Sequence, residues 1–306
     1  MSVVTSLRLW LVGWVLLAMM PGDAFAQSEA SGSPASGKIV VTGSVTLANL
    51  ITLWAEEFRE RNPAVTVTVA DPGSAGGVEA LLNGSANAVL TSMPLNQQQK
   101  NRFIDRFGYS PGYAAVAKDG VAVYVNRLNP LRKIDIRQLD AIYSATRRCG
   151  ARKAIKTWHD AGVQGSLEEA MITPLGLTAG TGAYLMFKHV VLCDGDFRTG
   201  FQAVAGPAAL QVALADDVAA IGFSSSALRS AEIRALALAR REKEAAFLPA
   251  AKTIQNGQYP LTRTLGILLN IPPGRNAAPG VQAFIDYVRS AAGQATAAKA
   301  GYVPLL

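Results

Sequence analysis

One unit recurs along this chain and restricts its fold more than anything else: a short apolar strand, a glycine turn bearing a hydroxyl, then a helix. Lys38 to Thr42 reads as the first strand and Gly43-Ser44-Val45-Thr46 as its turn. From Leu47 onward, Leu50, Ile51, Trp54 and Phe58 fall at helical spacing, with Glu56, Glu57, Arg59 and Glu60 on the other face. The unit returns as Val65 to Val69, Asp71-Pro72-Gly73-Ser74-Ala75-Gly76-Gly77 and a helix from Val78 to Asn83. It returns again as Ile172 to Leu175, Thr178-Ala179-Gly180-Thr181-Gly182 and a helix from Ala183 to Leu192. A strand that turns through glycine into a helix leaves backbone N–H groups without intrahelical acceptors, beside hydroxyls that cap them. Such a turn suits an anion, and three in one chain make it more than ordinary capping.

The remaining segments fit the same alternation. Ala86 to Thr91 reads as a strand leading through Ser92-Met93-Pro94-Leu95 to a polar helix ending at Phe107. Val121 to Val125 is a strand, Asp135 to Tyr143 an amphipathic helix with Asp135 as its cap, and Phe201 to Ala215 a helix. Ala219 to Phe223 is a buried strand, Ser226 to Ser230 a brief helix, Ile233 to Leu238 a short strand, and Pro249 to Gln258 irregular. Thr264 to Leu269 is an apolar strand, and a helix from Pro279 to Ser290 and one opening at Gly293-Gln294 close the chain. Alternating strands and helices predict an α/β fold with mainly parallel strands.

The first 26 residues have the form of a cleaved export signal. Arg8 precedes the apolar run Leu9 to Met20, and Ala24-Phe25-Ala26 supplies the small residues of a cleavage site after Ala26. Gln27 to Gly37 is a Ser/Gly/Ala-rich leader. The first cysteine is Cys149, so no lipid-attachment site follows the signal, and a secreted, soluble periplasmic protein is expected. Export also favours pairing of Cys149 with Cys193, the alternative being two separately buried thiols. With 50% hydrophobic and 17% charged residues the chain is globular rather than disordered. Its net charge of +7 favours anionic partners only weakly, and the basic cluster Arg147 to Lys153 reads as a solvated loop, not a nucleic-acid surface. His159 and His189 are the only histidines and lack metal-ligand spacing; no Ser/His/Asp arrangement or close carboxylate pair stands out. Neither an enzyme nor a cofactor or metal site is expected.

Several segments taken together resemble the periplasmic phosphate-binding proteins that feed ABC importers, the PstS-like family. They are Gly43 to Thr46, Gly73 to Gly77, Ala117-Lys118-Asp119-Gly120-Val121, Leu139 to Ser144 with Trp158, Ala179-Gly180-Thr181, Ala220 to Phe223, Tyr259-Pro260-Leu261-Thr262-Arg263, and Gly293-Gln294 with Gly301 to Leu305. The resemblance implies a two-lobed binding-protein fold of type II form with two hinge crossings, near Lys118 to Val121 and near Thr253 to Tyr259. Lobe one would then be residues 38–119 and 258–306, and lobe two residues 120–257. It also implies a monomer that binds a small anion in the cleft and presents the closed form to a membrane permease. The implied ligand-binding residues are Ser44, Val45, Thr46, Ser74, Gly76, Asn87, Ser92, Gly180 and Thr181.

The chain departs from the family at informative places. The family's aspartate and arginine fall at Asn87 and Met93, a second arginine near Leu175, and a serine at Ala179. In the family the aspartate is taken to accept the proton of a protonated phosphate, so the resemblance implies that Asn87 removes that basis for preferring phosphate over sulfate, and the lost arginine contacts weaken anion binding. The replacements also leave a second reading: a two-lobed sensory or interaction protein whose cleft binds no phosphate. Arg263 and Lys118 are the cations that could compensate, with hinge packing the plainer role for Arg263.

Overall fold

Residues 37–43, 47–70, 73–92 and 94–305 are described in a computed structural model of the chain. The export signal, its cleavage site and most of the leader lie outside these residues. Period-two alternation builds the first strands: Ile39 and Val41 of β1 (Gly37–Gly43) and Val65 and Val67 of β2 (Val65–Ala70) are buried. The two pair in parallel, and β1 pairs on its other side with β3 (Ala88–Thr91). The stripe Leu50, Ile51, Trp54 and Phe58 of α1 (Ala48–Arg61) packs on this sheet, and Trp54 Nε1 donates to Gly293 O at 2.7 Å.

On the opposite face lie α2 (Gly73–Asn83) and α3 (Gln97–Phe107), the latter closed by a reciprocal cap between Asn96 and Gln99. The strand β4 (Gly112–Asn126) is fifteen residues long and changes partners along its length. Residues Gly112 to Gly120 run antiparallel to β11 (Thr262–Leu269), whereas Val121 to Val125 run antiparallel to β8 (Ala220–Ser225). The full order is β2-β1-β3-β11-β4-β8-β6-β7, where β6 is Thr173–Leu177 and β7 is Gln202–Val204. A short strand β9 (Ile233–Ala235) also pairs with β4, and β5 (Lys133–Asp135) with β10 (Ala237–Ala239).

Each half of this curled sheet carries its own core, which gives the molecule two lobes. Around β1, β2 and β3 the first core gathers α1 with α8 (Pro279–Arg289) and α9 (Ala291–Lys299). The second gathers β8 and β6 with α4 (Ile136–Tyr143), α5 (Gly182–Leu192) and α6 (Pro207–Asp216). Its aromatic centre stacks Phe187 on Phe223 at 4.0 Å between ring centroids, with Trp158 fully buried nearby. Cys149 and Cys193 form a disulfide with Cα atoms 5.2 Å apart.

Where β4 passes between halves, several segments hold it. Val121 N donates to Leu261 O, Ser226 N to Gly120 O, and Tyr259 OH to Val121 O. Lys118 and Val303 exchange backbone hydrogen bonds, and Val303 reaches the second core.

Six expectations need correction. Gly73 to Gly77 are not a turn but the first residues of α2, and Ile233 to Leu238 is not one strand but divides between β9 and β10, which pair with β4 and β5. The sheet is mixed rather than mainly parallel, because β11 and β4 run antiparallel through its middle. The stretch Phe201 to Ala215 is not one helix: β7 pairs with β6, and α6 begins only at Pro207, where a proline fits the first turn. Ser226 to Ser230 is a turn, its Ser226 hydroxyl engaged by Asp119. Within Pro249 to Gln258, α7 (Ala251–Gln255) forms one short helix.

Candidate functional site

Three close approaches bring the glycine turns together. Gly43 ends β1 with φ of 148°, and a Cβ there would sit 2.0 Å from Leu90 O on β3, so only glycine fits. A Cβ on Gly77 of α2 would lie 3.1 Å from Gly43 Cα, which places the start of α2 against the end of β1. Two residues beyond Leu90, Ser92 follows the end of β3 and meets the third turn. A Cβ on Gly182 would fall 1.7 Å from Ser92 Oγ and 2.7 Å from Arg263 Nη1. The first turn of α5, which belongs to the second core, thus abuts the ends of β3 and β11.

The start of α5 is capped from within. Thr181 Oγ1 accepts from Tyr184 N at 3.2 Å and donates to Thr178 O at 3.0 Å, with Gly180 in the left-handed region before it. The cap leaves the N–H groups of the first turn, at Gly182 and Ala183, without intrahelical acceptors and adds the positive end of the helix dipole.

Arg263 supplies a formal charge at the same corner. Its side chain is 4% exposed and its Nε and Nη2 donate to Asp119 Oδ2, at 3.2 and 2.6 Å. Asp119 is fully occupied, since its Oδ1 accepts from Gly120 N, Ser225 Oγ and Ser226 Oγ. Arg263 Nη1, by contrast, is buried with no hydrogen-bond partner among the described residues. A buried donor without an acceptor costs on the order of 1–3 kcal/mol, more when charged, so an acceptor brought to this nitrogen would be stabilising. Burial pushes the nearby Tyr302 phenol well up and the Asp119 carboxylate adds to it, so Tyr302 stays a neutral group.

The residues singled out in the sequence divide as follows. Ser92 lies against Gly182 at the start of α5, which Thr181 caps and Gly180 precedes. Gly76 lies in the first turns of α2, next to the Gly77 that packs on Gly43; Ser74 is in the same helix, and only its backbone placement is described. Ser44, Val45, Thr46 and Met93 lie outside the described residues. Asn87 stands apart, just before β3, where its Oδ1 accepts from Val40 N at 2.9 Å. The five residues from there to Ser92 span roughly 16 Å of strand. Leu175 is a core residue of β6, and Lys118 is tied at the surface to Gln255 O. Both histidines are exposed beside carboxylates, His159 with Glu168 and His189 with Asp194. The residue undervalued in the sequence is Arg263: its partner is 144 positions away, and only the β4–β11 register joins them.

No helix among the described residues is long and apolar enough to cross a membrane. A model of the PBP superfamily domain matches residues 28–292. The phosphate-binding protein PstS of Pseudomonas aeruginosa is 35% identical over 277 residues, covering 90% of this chain and 85% of that one. Protein SphX of Synechococcus elongatus is 25% identical, covering 94% of this chain and 83% of its own length. Among solved structures, an ABC-type phosphate transport receptor from Vibrio cholerae superposes with a TM-score of 0.70 at 22% identity, covering 87% of this chain and 99% of that one. PstS from Borrelia burgdorferi gives 0.62 at 18% identity, over 88% and 99%. The two-lobed architecture, the order of the glycine turns and the match over nearly the whole chain agree, and the chain belongs to the PBP superfamily as a PstS-like solute-binding protein.

Proposed function

We propose that this protein captures phosphate or a closely related oxyanion between its two lobes and delivers it to the permease of an ABC importer. The observation that carries this reading is the unpartnered Nη1 of Arg263, buried against Ser92 and the first turn of α5. A tetrahedral oxyanion offers four acceptor oxygens. At this corner a guanidinium N–H, a serine hydroxyl and the N–H groups of a helix start could each take one. The same cation answers the loss of arginine at Met93 and Leu175, and it weighs against a cleft that has ceased to bind anions.

In this reading the hinge crosses near Lys118 to Val121 and near Thr253 to Tyr259. Residues 38–119 and 258–306 move as lobe one, residues 120–257 as lobe two. The protein acts as a periplasmic monomer after cleavage behind Ala26, without a lipid anchor and without catalysis of its own. The PstS names of its relatives support phosphate as the first ligand to test. Calorimetry on mature protein, stripped of ligand by partial unfolding and refolding, should show saturable heat with phosphate. Absence of heat with phosphate, sulfate and methylphosphonate alike would overturn the anion reading.

A further inference from the structure

A cavity of about 680 Å³ has Arg263 in its wall, and most of that wall is apolar. Met186 and Val190 of α5 line one side, and they follow Gly182 at four and eight positions, on the same stripe of that helix. The helix therefore carries the cavity away from the corner where its first turn meets Ser92 and Arg263. Leu95, Tyr113 and Leu268 of the first lobe form much of the opposite wall. Tyr113 lies across β11 at Gly266, where a Cβ would collide with its ring at 2.1 Å, so the glycine gives the aromatic wall its place.

Inorganic phosphate is a compact, wholly polar ion that gains nothing from such walls. Ligand sites with mostly apolar lining and a few fixed polar groups instead suit organic molecules, and this volume falls in their usual range of about 300–1,000 Å³. Resting on the oxyanion reading above, we infer that the cavity receives the apolar substituent of an organic phosphoryl compound, a phosphate monoester or a phosphonate. Its head group is held by Arg263, Ser92 and the first turn of α5, and its substituent lies between α5 and β11.

The test compares ligands that share a head group. Phenyl phosphate against methyl phosphate, and phenylphosphonate against methylphosphonate, are titrated calorimetrically into stripped mature protein, with inorganic phosphate as reference. Each phenyl compound is expected to bind roughly ten-fold more tightly than its methyl counterpart. The phosphate and phosphonate arms tell which class is preferred. Thr264 lies on the cavity wall and is exposed, so Thr264→Trp fills the space without disturbing either core. That variant should erase the phenyl advantage while moving inorganic phosphate affinity by less than about two-fold, ~0.4 kcal/mol. Tight phosphate binding with no phenyl advantage in the native protein would overturn this inference and leave the anion reading standing. No binding of any of the five would bring down the anion reading and this inference with it.

Discussion

Gly182→Ala tests the corner at its tightest point. The added methyl would lie 1.7 Å from Ser92 Oγ and 2.7 Å from both Ser92 Cβ and Arg263 Nη1. Rotating the serine hydroxyl frees only the first contact, because the Cβ cannot swing away. To reach ordinary carbon contact the start of α5 must retreat by roughly 1 Å, which pulls its N–H groups back from the ion. Overpacking of this kind costs about 1–3 kcal/mol, or roughly 5- to 150-fold in the dissociation constant. With the hinge proposed above, the ligand-free protein responds differently, since its lobes part and alanine is the better helix former by up to ~1 kcal/mol. Calorimetry should therefore show weakened phosphate binding, while the melting temperature without ligand holds or rises. Unchanged affinity would refute the placement of Gly182. A fall in ligand-free stability that accounts for the whole loss would refute the argument that closure alone suffers.

Removing Asp119 leaves a buried guanidinium and three donors without their acceptor. Asp119→Ala should cost about 3–5 kcal/mol and lower the melting temperature by roughly 10 °C in a thermal scan. The disulfide closes a separation of 44 residues, so replacing both Cys149 and Cys193 by serine should destabilise by up to about 4 kcal/mol, measured by urea titration. Glu57 accepts from Thr296 Oγ1 and Tyr287 OH, bonds that hold its carboxyl below the usual 4.5, and it ties α1 to α8 and α9. A depressed carboxyl stabilises the fold above its unfolded value and loses that contribution as pH falls through the folded one. Acid scans from pH 5 downward should thus show a shallower loss of stability in Glu57→Gln than in the parent.

Local chemistry made much of this architecture legible. The stripe of α1, the cap at Asp135 and the glycine turn into α5 were readable because each depends on residues a few positions apart. Elements set by distant pairing were not. Gln202 to Val204 becomes a strand only because β6 lies beside it, and the first half of β4 is a strand because β11 returns antiparallel to it. Arg263 belongs to the same class, for nothing near it in sequence shows that Asp119 takes two of its nitrogens and leaves the third at the start of α5. Asn87 shows the converse, a match by order along the chain that the strand carries to the far end of β3 from Ser92.

A crystal of the mature protein grown with arsenate, a phosphate isostere that scatters anomalously, tests the central claim most directly. The anomalous peak should lie within hydrogen-bond reach of Arg263 Nη1, Ser92 Oγ and the first turn of α5. A peak elsewhere on the molecule, with that nitrogen still lacking an acceptor, would contradict it.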